Sequence, residues 1–232
     1  MTYVMSDIHG EYEKYRAMLE KINFGEGDIL YVLGDVVDRG QRPVDVLLDM
    51  MARPNVYPII GNHELMAINV LRALCVEITE QNYASHIDEG MLDSLMQWQF
   101  NGGQTTIKQF QKLPLDKREY VLEYFEEFVP YELVEVGNKR FLLVHSGLGN
   151  FDKEKELDDY TLEELTFMRP EFDRRYFEDD NFYIVSGHTP TLAINGKPEI
   201  YKSQNNIFID CGATFTGKLA CLCLDTMEEF YI

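Results

Sequence analysis

Three short apolar runs in the first sixty residues, Thr2–Ser6, Asp28–Leu33 and Val56–Ile60, alternate with two segments of helical spacing. The first segment carries Tyr12, Tyr15, Leu19 and Ile22 on one face, and the second carries Val44, Leu47, Leu48 and Met51. Runs of this length with β-branched and aromatic members read as buried strands, so the alternation implies βαβ units and a largely parallel sheet. Taken alone, the pattern suggests a simple doubly wound α/β fold. It also fixes where a ligand would bind, because the carboxyl ends of parallel strands form the crevice of such sheets.

The middle of the chain differs. From Glu64 to Phe128 the pattern is helical, interrupted at Asn101-Gly102-Gly103 and at Pro114. We read one domain spanning residues 1–232 with a helical insertion at about 64–129. Strands are expected again at Tyr131–Val136 and Arg140–Val144, which flank the hairpin signal Gly137-Asn138. An all-β run continues through Phe182–Ser186, Asn206–Ile209, Leu219–Leu224 and Glu229–Ile232. The acidic segment 151–180 reads as a surface excursion with a short helix around Leu162–Met168, and Asp152–Asp159 as a solvated face.

The residues able to do chemistry fall just after expected strands. These are Asp7-Ile8-His9, Gly34-Asp35-Val36-Val37-Asp38-Arg39-Gly40, Gly61-Asn62-His63-Glu64, His145-Ser146-Gly147 and Gly187-His188-Thr189. A lone Asp-x-His is more often a turn than a ligand pair, but five such segments would deliver carboxylates, an amide and imidazoles to one rim. That donor set suits two divalent ions, with manganese, iron and zinc all compatible, and the lack of thiolate argues against structural zinc. Asp7 and His9 can share one ion, Asp35 has two oxygens with which to bridge, and Asn62, His145 and His188 can complete the second. Two such ions generate a hydroxide nucleophile for in-line attack on phosphorus. Arg39 offers a fork to phosphate oxygens, and His63, its ring held by Asp38, is a general acid. Glu64 reads as either a partner supporting the ligands or, preferentially, a favourable charge at a helix N-terminus. His86, outside every motif, reads as a surface residue. Gly34, Gly40 and Gly61 read as structural, allowing close backbone approach.

Charge narrows the partners. Forty acidic residues against 21 basic ones give −19 at pH 7, which argues against a nucleic-acid partner. A small phosphorylated substrate remains compatible, because bound cations invert the local field. The four cysteines form no C-x-x-C pair, and Cys221 and Cys223 alternate within an apolar run, as buried small hydrophobes do in a reducing compartment. The first strand begins at the N-terminus without a targeting signal, and no apolar stretch approaches a membrane span. A cytoplasmic monomer is therefore expected.

The ordered set D-x-H, G-D-x-x-D-R-G, G-N-H-E, H-S-G and G-H-T, from Asp7 to Thr189, resembles the signature of the phosphoprotein phosphatase family within the metallophosphoesterases. Asn101-Gly102-Gly103, Phe167-Met168-Arg169 and the stretch from Ile209 to Gly217 are similar to its bacteriophage-lambda-type serine/threonine protein phosphatases. The resemblance implies two packed mixed β-sheets flanked by helices, in place of a doubly wound sheet. It implies first-ion ligands Asp7, His9 and Asp35, and second-ion ligands Asp35, Asn62, His145 and His188. Phosphate contacts are implied from Arg39, Arg169 and Asn62, and acid catalysis from His63 with Asp38. The implied substrate is a phosphorylated protein or peptide, or a small phosphoester, hydrolysed by a metal-bridging hydroxide after manganese loading. The alternatives are a symmetrical dinucleoside polyphosphate hydrolase, which shares the first three motifs, and a non-catalytic metal-binding scaffold.

Overall fold

In a computed structural model, residues 1–75 and 89–232 are described; His86 lies outside the described residues. The expected βαβ units form as β1 (Thr2–Met5), α1 (Tyr12–Lys21), β2 (Ile29–Leu33), α2 (Pro43–Met51) and β3 (Val56–Ile59). Helix α3 (Asn62–Cys75) starts at the end of β3, and α4 (Glu89–Phe100), α5 (Gln104–Phe110) and α6 (Leu115–Phe125) follow. Beyond them come β4 (Tyr131–Val136), β5 (Lys139–Val144), α7 (Leu162–Thr166), β6 (Phe182–Ser186), α8 (Thr191–Asn195), β7 (Tyr201–Ser203), β8 (Asn206–Phe208), β9 (Ala220–Cys223) and β10 (Glu229–Tyr231).

These strands form two mixed sheets, not one doubly wound sheet. The first has the order β10-β9-β1-β2-β3 and the second β4-β5-β6-β8-β7. Strands β1, β2 and β3 run parallel, as do β5, β6 and β8, and antiparallel strands edge both groups. The βαβ pattern identified the parallel centre of the first sheet. It carried no information on the antiparallel partner β9, which arrives from the far end of the chain. The all-β reading of the last fifty residues also needs correction, since α8 interrupts it and β7 pairs with β8.

Alternation along each strand builds the core. In β1, Tyr3 and Met5 join α1, α2 and α3 in one buried cluster, while Val4 faces the second sheet with Leu33, Ile59 and Leu222. In β5, Phe141 and Leu143 fill the same inter-sheet layer, while Leu142 and Val144 turn outward. Cys221 and Cys223 sit in the helix-side cluster, and all four cysteines are free. The Gly137-Asn138 turn joins β4 to β5, with Gly137 at φ 62°, the first central position of a hairpin turn where glycine is favoured. Among the described residues, no helix is long and apolar enough to cross a membrane.

Segment 151–180 is more than a surface excursion. Tyr160, Leu165 and Tyr176 are buried against Leu142, Val144 and Ile184 on the outer face of the second sheet. A cavity of about 540 Å³ opens there, lined by Leu133, Phe151, Tyr160, Phe177 and Phe182, away from the strand ends that carry the motifs. Lys155 Nζ donates to both Glu164 oxygens at 2.8 and 2.7 Å, and Thr161 N–H donates to the same carboxylate. The lysine, followed by the Thr161 N–H, holds the Glu164 carboxyl down at about 2. A carboxyl lowered from 4.5 contributes stability above its ordinary range that is lost as pH falls through the folded value. The stability gap between wild type and Lys155→Met, followed by circular dichroism, should therefore be full at neutral pH. It should shrink as pH falls from 4.5 to about 2. A gap constant over that range would place the effect in the packing of Lys155 over the Tyr160 ring.

Candidate metal centre

The parallel strands of both sheets end at the same rim. β1 delivers Asp7 and His9, β2 delivers Asp35, Asp38 and Arg39, and β3 runs into Asn62 and His63 at the start of α3. From the second sheet, β5 delivers His145 and β6 delivers His188. Backbone pairing continues past the strands: His9 N–H donates to Asp35 C=O at 2.8 Å, and Gly187 N–H to His145 C=O at 2.7 Å. Hydrogen bonds at this rim also cross between the sheets. His145 Nδ1–H donates to Leu33 C=O at 2.6 Å, and His188 N–H to Asp7 Oδ2 at 3.0 Å.

Six residues of this rim hold left-handed backbone: Asp7 (φ 50°), His9 (45°), Asp35 (52°), Asp38 (73°), Arg39 (62°) and His188 (62°). That conformation costs a non-glycine residue roughly 1 kcal/mol or more, and such strain gathers where function fixes geometry. The glycines allow the close packing expected of them. A Cβ on Gly34 would stand 2.5 Å from Gly61 N, and one on Gly102 2.8 Å from Arg39 Cγ. Asn101-Gly102-Gly103 is thus more than a helix breaker, because Gly102 C=O also accepts the Arg39 N–H at 3.1 Å.

Two donor clusters form around Asp35. One joins His9, Asp35 and His63, and the other Asp35, His145 and His188, with the candidate ligand atoms of each within 4.8 Å of one another. Asp35 Oδ2 lies 3.5 Å from His9 Nε2, and Oδ1 lies 3.4 Å from His145 Nε2. Asn62 Oδ1 stands 3.0 Å from both His145 Nε2 and His188 Nδ1. The Asp7 carboxylate lies outside these two clusters and accepts the His188 N–H, but its charge is felt at Asp35.

The donor chemistry fits a cation. His9 and His145 give their Nδ1 protons to the carbonyls of Val37 and Leu33, which leaves each Nε2 lone pair turned toward Asp35. Burial holds His9 well below the ordinary histidine range and draws His188 down to about 3, so both are neutral imidazoles. Burial also pushes the Asp35 carboxyl well up, as expected of a buried anion awaiting positive charge.

Around this core sit the groups read as catalytic. The Arg39 guanidinium donates to His9 Nε2 at 2.7 Å and to His63 Nε2 at 3.0 Å. His63 Nδ1–H donates to Asp38 Oδ2 at 2.6 Å. Burial lowers the His63 pKa, but Asp35 and the Asp38 hydrogen bond more than offset this, leaving it above the ordinary value. Arg169 is exposed, and its Nε donates to Thr189 Oγ1 at 3.2 Å, beside His188.

Sequence reasoning missed two supporting residues and gave no role to a third, Asp210, within the stretch from Ile209 to Gly217. Trp98 Nε1–H and Thr106 Oγ1–H both donate to the Asp38 carboxylate, at 2.7 and 2.6 Å, so the helical region completes the shell around His63. A single indole and a threonine in a helical pattern give no signal of a partner 60 residues away. Asp210, at the end of β8, is buried with its carboxyl raised by burial and by Asp7. Glu64 was misread. It is fully buried, and its two oxygens accept the N–H groups of Asp35, Val36, Val37 and Gly61 at 2.8 to 3.2 Å.

The family model described as Calcineurin-like phosphoesterase matches residues 2–212. A symmetrical bis(5'-nucleosyl)-tetraphosphatase of Wigglesworthia glossinidia brevipalpis is 28% identical over 55% of this chain and 45% of its own length. Like it, the other relatives matched most strongly are covered over less than half of their length. An asymmetrical bis(5'-nucleosyl)-tetraphosphatase of Geobacillus thermodenitrificans is 24% identical over 94% of this chain and 88% of its own. A crystal structure provisionally described as a diadenosine tetraphosphatase superposes with a TM-score of 0.67. It is 17% identical, and the match covers 100% of this chain and 92% of that one.

Glu64→Gln tests whether this buried carboxylate shapes the rim. The amide would turn a donor toward backbone N–H groups, and manganese affinity measured by calorimetry should fall about 10–100-fold. Unchanged affinity and Tm would reduce Glu64 to a charge at a helix terminus.

Proposed function

Since the chain belongs to the calcineurin-like phosphoesterase family, we propose that this metallophosphoesterase hydrolyses the phosphoanhydride chain of dinucleoside tetraphosphates. The observation that carries the reading is its likeness to bis(5'-nucleosyl)-tetraphosphatases, in one case along 94% of the chain. Within the proposal, Asp7, His9 and Asp35 would hold one divalent ion, and Asp35, Asn62, His145 and His188 would hold the other. When bound, such ions supply Lewis acidity toward the phosphoryl oxygens and a more acidic water.

The chain's own residues do the rest. Arg39 exchanges its two imidazole contacts for two phosphate oxygens, which its planar fork matches. Arg169, held by Thr189 next to His188, reaches a further phosphate of the chain, and the Asn62 amide also faces the substrate. His63, fixed through Nδ1 on Asp38, presents Nε2 to the oxygen that leaves phosphorus and donates a proton to it. Water adds to phosphorus, one P–O bond breaks, and a nucleotide phosphate departs. That leaving group needs a proton less than a serine or threonine alkoxide does.

The rival reading, a serine/threonine protein phosphatase, rests on the resemblance at Asn101-Gly102-Gly103, at Phe167-Met168-Arg169 and above all in the stretch from Ile209 to Gly217. Diadenosine tetraphosphate and a phosphothreonine peptide, offered together to manganese-loaded protein, separate the two. The dinucleotide should turn over faster, with activity lost on chelation and restored by manganese. Two ADP molecules would mark symmetrical cleavage, and AMP with ATP asymmetrical cleavage. Faster peptide turnover would overturn the proposal in favour of the phosphatase. Arg39→Ala should lower kcat/KM for the dinucleotide on the order of 100-fold, the scale of losing one transition-state donor. His63→Gln should slow peptide hydrolysis more than dinucleotide hydrolysis, and equal losses would count against the acid role.

A further inference from the structure

We infer that the Phe215 ring is a stacking platform for one nucleobase of the substrate, an inference that rests on the dinucleotide reading. Phe215 is 67% exposed, and its ring centroid lies 5.1 Å from the guanidinium carbon of Arg39. An isolated exposed phenylalanine is ordinary on a protein surface. This one stands against the side chain read as the phosphate clamp, at the distance of a cation–π contact. A base joined through its ribose to a phosphate on Arg39 would meet this ring beside it.

The turn that carries the ring is also held in place. Gly212 adopts φ 77°, and its carbonyl accepts both the Phe215 and Thr216 N–H groups, at 2.9 and 2.8 Å. Thr216 Oγ1 donates to Cys211 C=O at 2.6 Å and accepts the Lys218 N–H at 3.1 Å. Asp210 Oδ1 accepts the Gly212 N–H at 2.8 Å, tying the turn to the end of β8. A braced turn presents its aromatic face with little ordering left to do on binding, which is what makes a stacking contact effective. Every nucleobase has a π-face, so the platform accepts adenine and guanine alike.

The test compares ligands with and without a base. ADP and inorganic pyrophosphate are titrated calorimetrically into manganese-loaded wild type, Phe215→Ala, Phe215→Trp and Tyr120→Ala. Tyr120 is an exposed aromatic beside Arg53, Pro54 and Val56, near the amino-terminal end of β3 and opposite the rim. Wild type should bind ADP about tenfold more tightly than pyrophosphate, the scale of one stacked base. Phe215→Ala should remove that advantage while pyrophosphate binding stays within about twofold. Phe215→Trp should keep it, and Tyr120→Ala should change neither ligand. Equal weakening of both ligands by Phe215→Ala would mean that the ring serves Arg39 alone and would overturn the inference. So would ADP binding no tighter than pyrophosphate in wild type, or unaltered in Phe215→Ala. Loss of the ADP advantage in a protein that does not cleave diadenosine tetraphosphate would uphold the platform and sink the proposed function instead.

Discussion

The buried Glu64 carboxylate fixes the turn on which the whole rim is built. Four backbone N–H groups that leave β2 and β3 would otherwise be buried without partners, and each unpaired group would cost about 1–3 kcal/mol. Glu64 accepts all four from the first turn of α3. By closing that turn it sets the backbone of Asp35, the residue both donor clusters share. The left-handed conformations around it persist because the surrounding bonds leave the chain no alternative.

The second constraint is the meeting of two sheets. Neither sheet alone carries a complete donor set, since Asp7, His9, Asp35 and Asn62 follow one, and His145 and His188 follow the other. The inter-sheet layer of Val4, Leu33, Phe141, Leu143 and Leu222 brings them together without polar contacts of its own. At the rim, the His145 bond to Leu33 and the His188 bond to Asp7 fix the spacing that packing leaves adjustable. Hydrophobic burial thus supplies proximity, and hydrogen bonding supplies geometry.

Much of this was legible in the sequence because it is local. A residue following a short apolar run must lie at a strand end, and five such segments point to one rim. The hairpin at Gly137 and the alternating cysteines are local too. What could not be read depends on long-range pairing: β9 beside β1, Trp98 and Thr106 on Asp38, and Tyr160 with Tyr176 under an acidic surface. Glu64 shows how a local rule misleads, since the position suits a helix dipole but the side chain turns back into the fold. The protein-phosphatase expectation leaned on the lambda-type features, above all the stretch from Ile209 to Gly217, whereas the relatives matched here are bis(5'-nucleosyl)-tetraphosphatases.

Trp98 is the only tryptophan in the chain, fully buried, with its indole N–H on the carboxylate that orients His63. All indole fluorescence of the molecule therefore originates two hydrogen bonds away from the candidate acid, through the Asp38 carboxylate. A change in the polarity around Asp38, or in the seating of α4 against the rim, must register in a single emission band. The fold carries a native optical reporter of its own centre, with no other indole to dilute the signal.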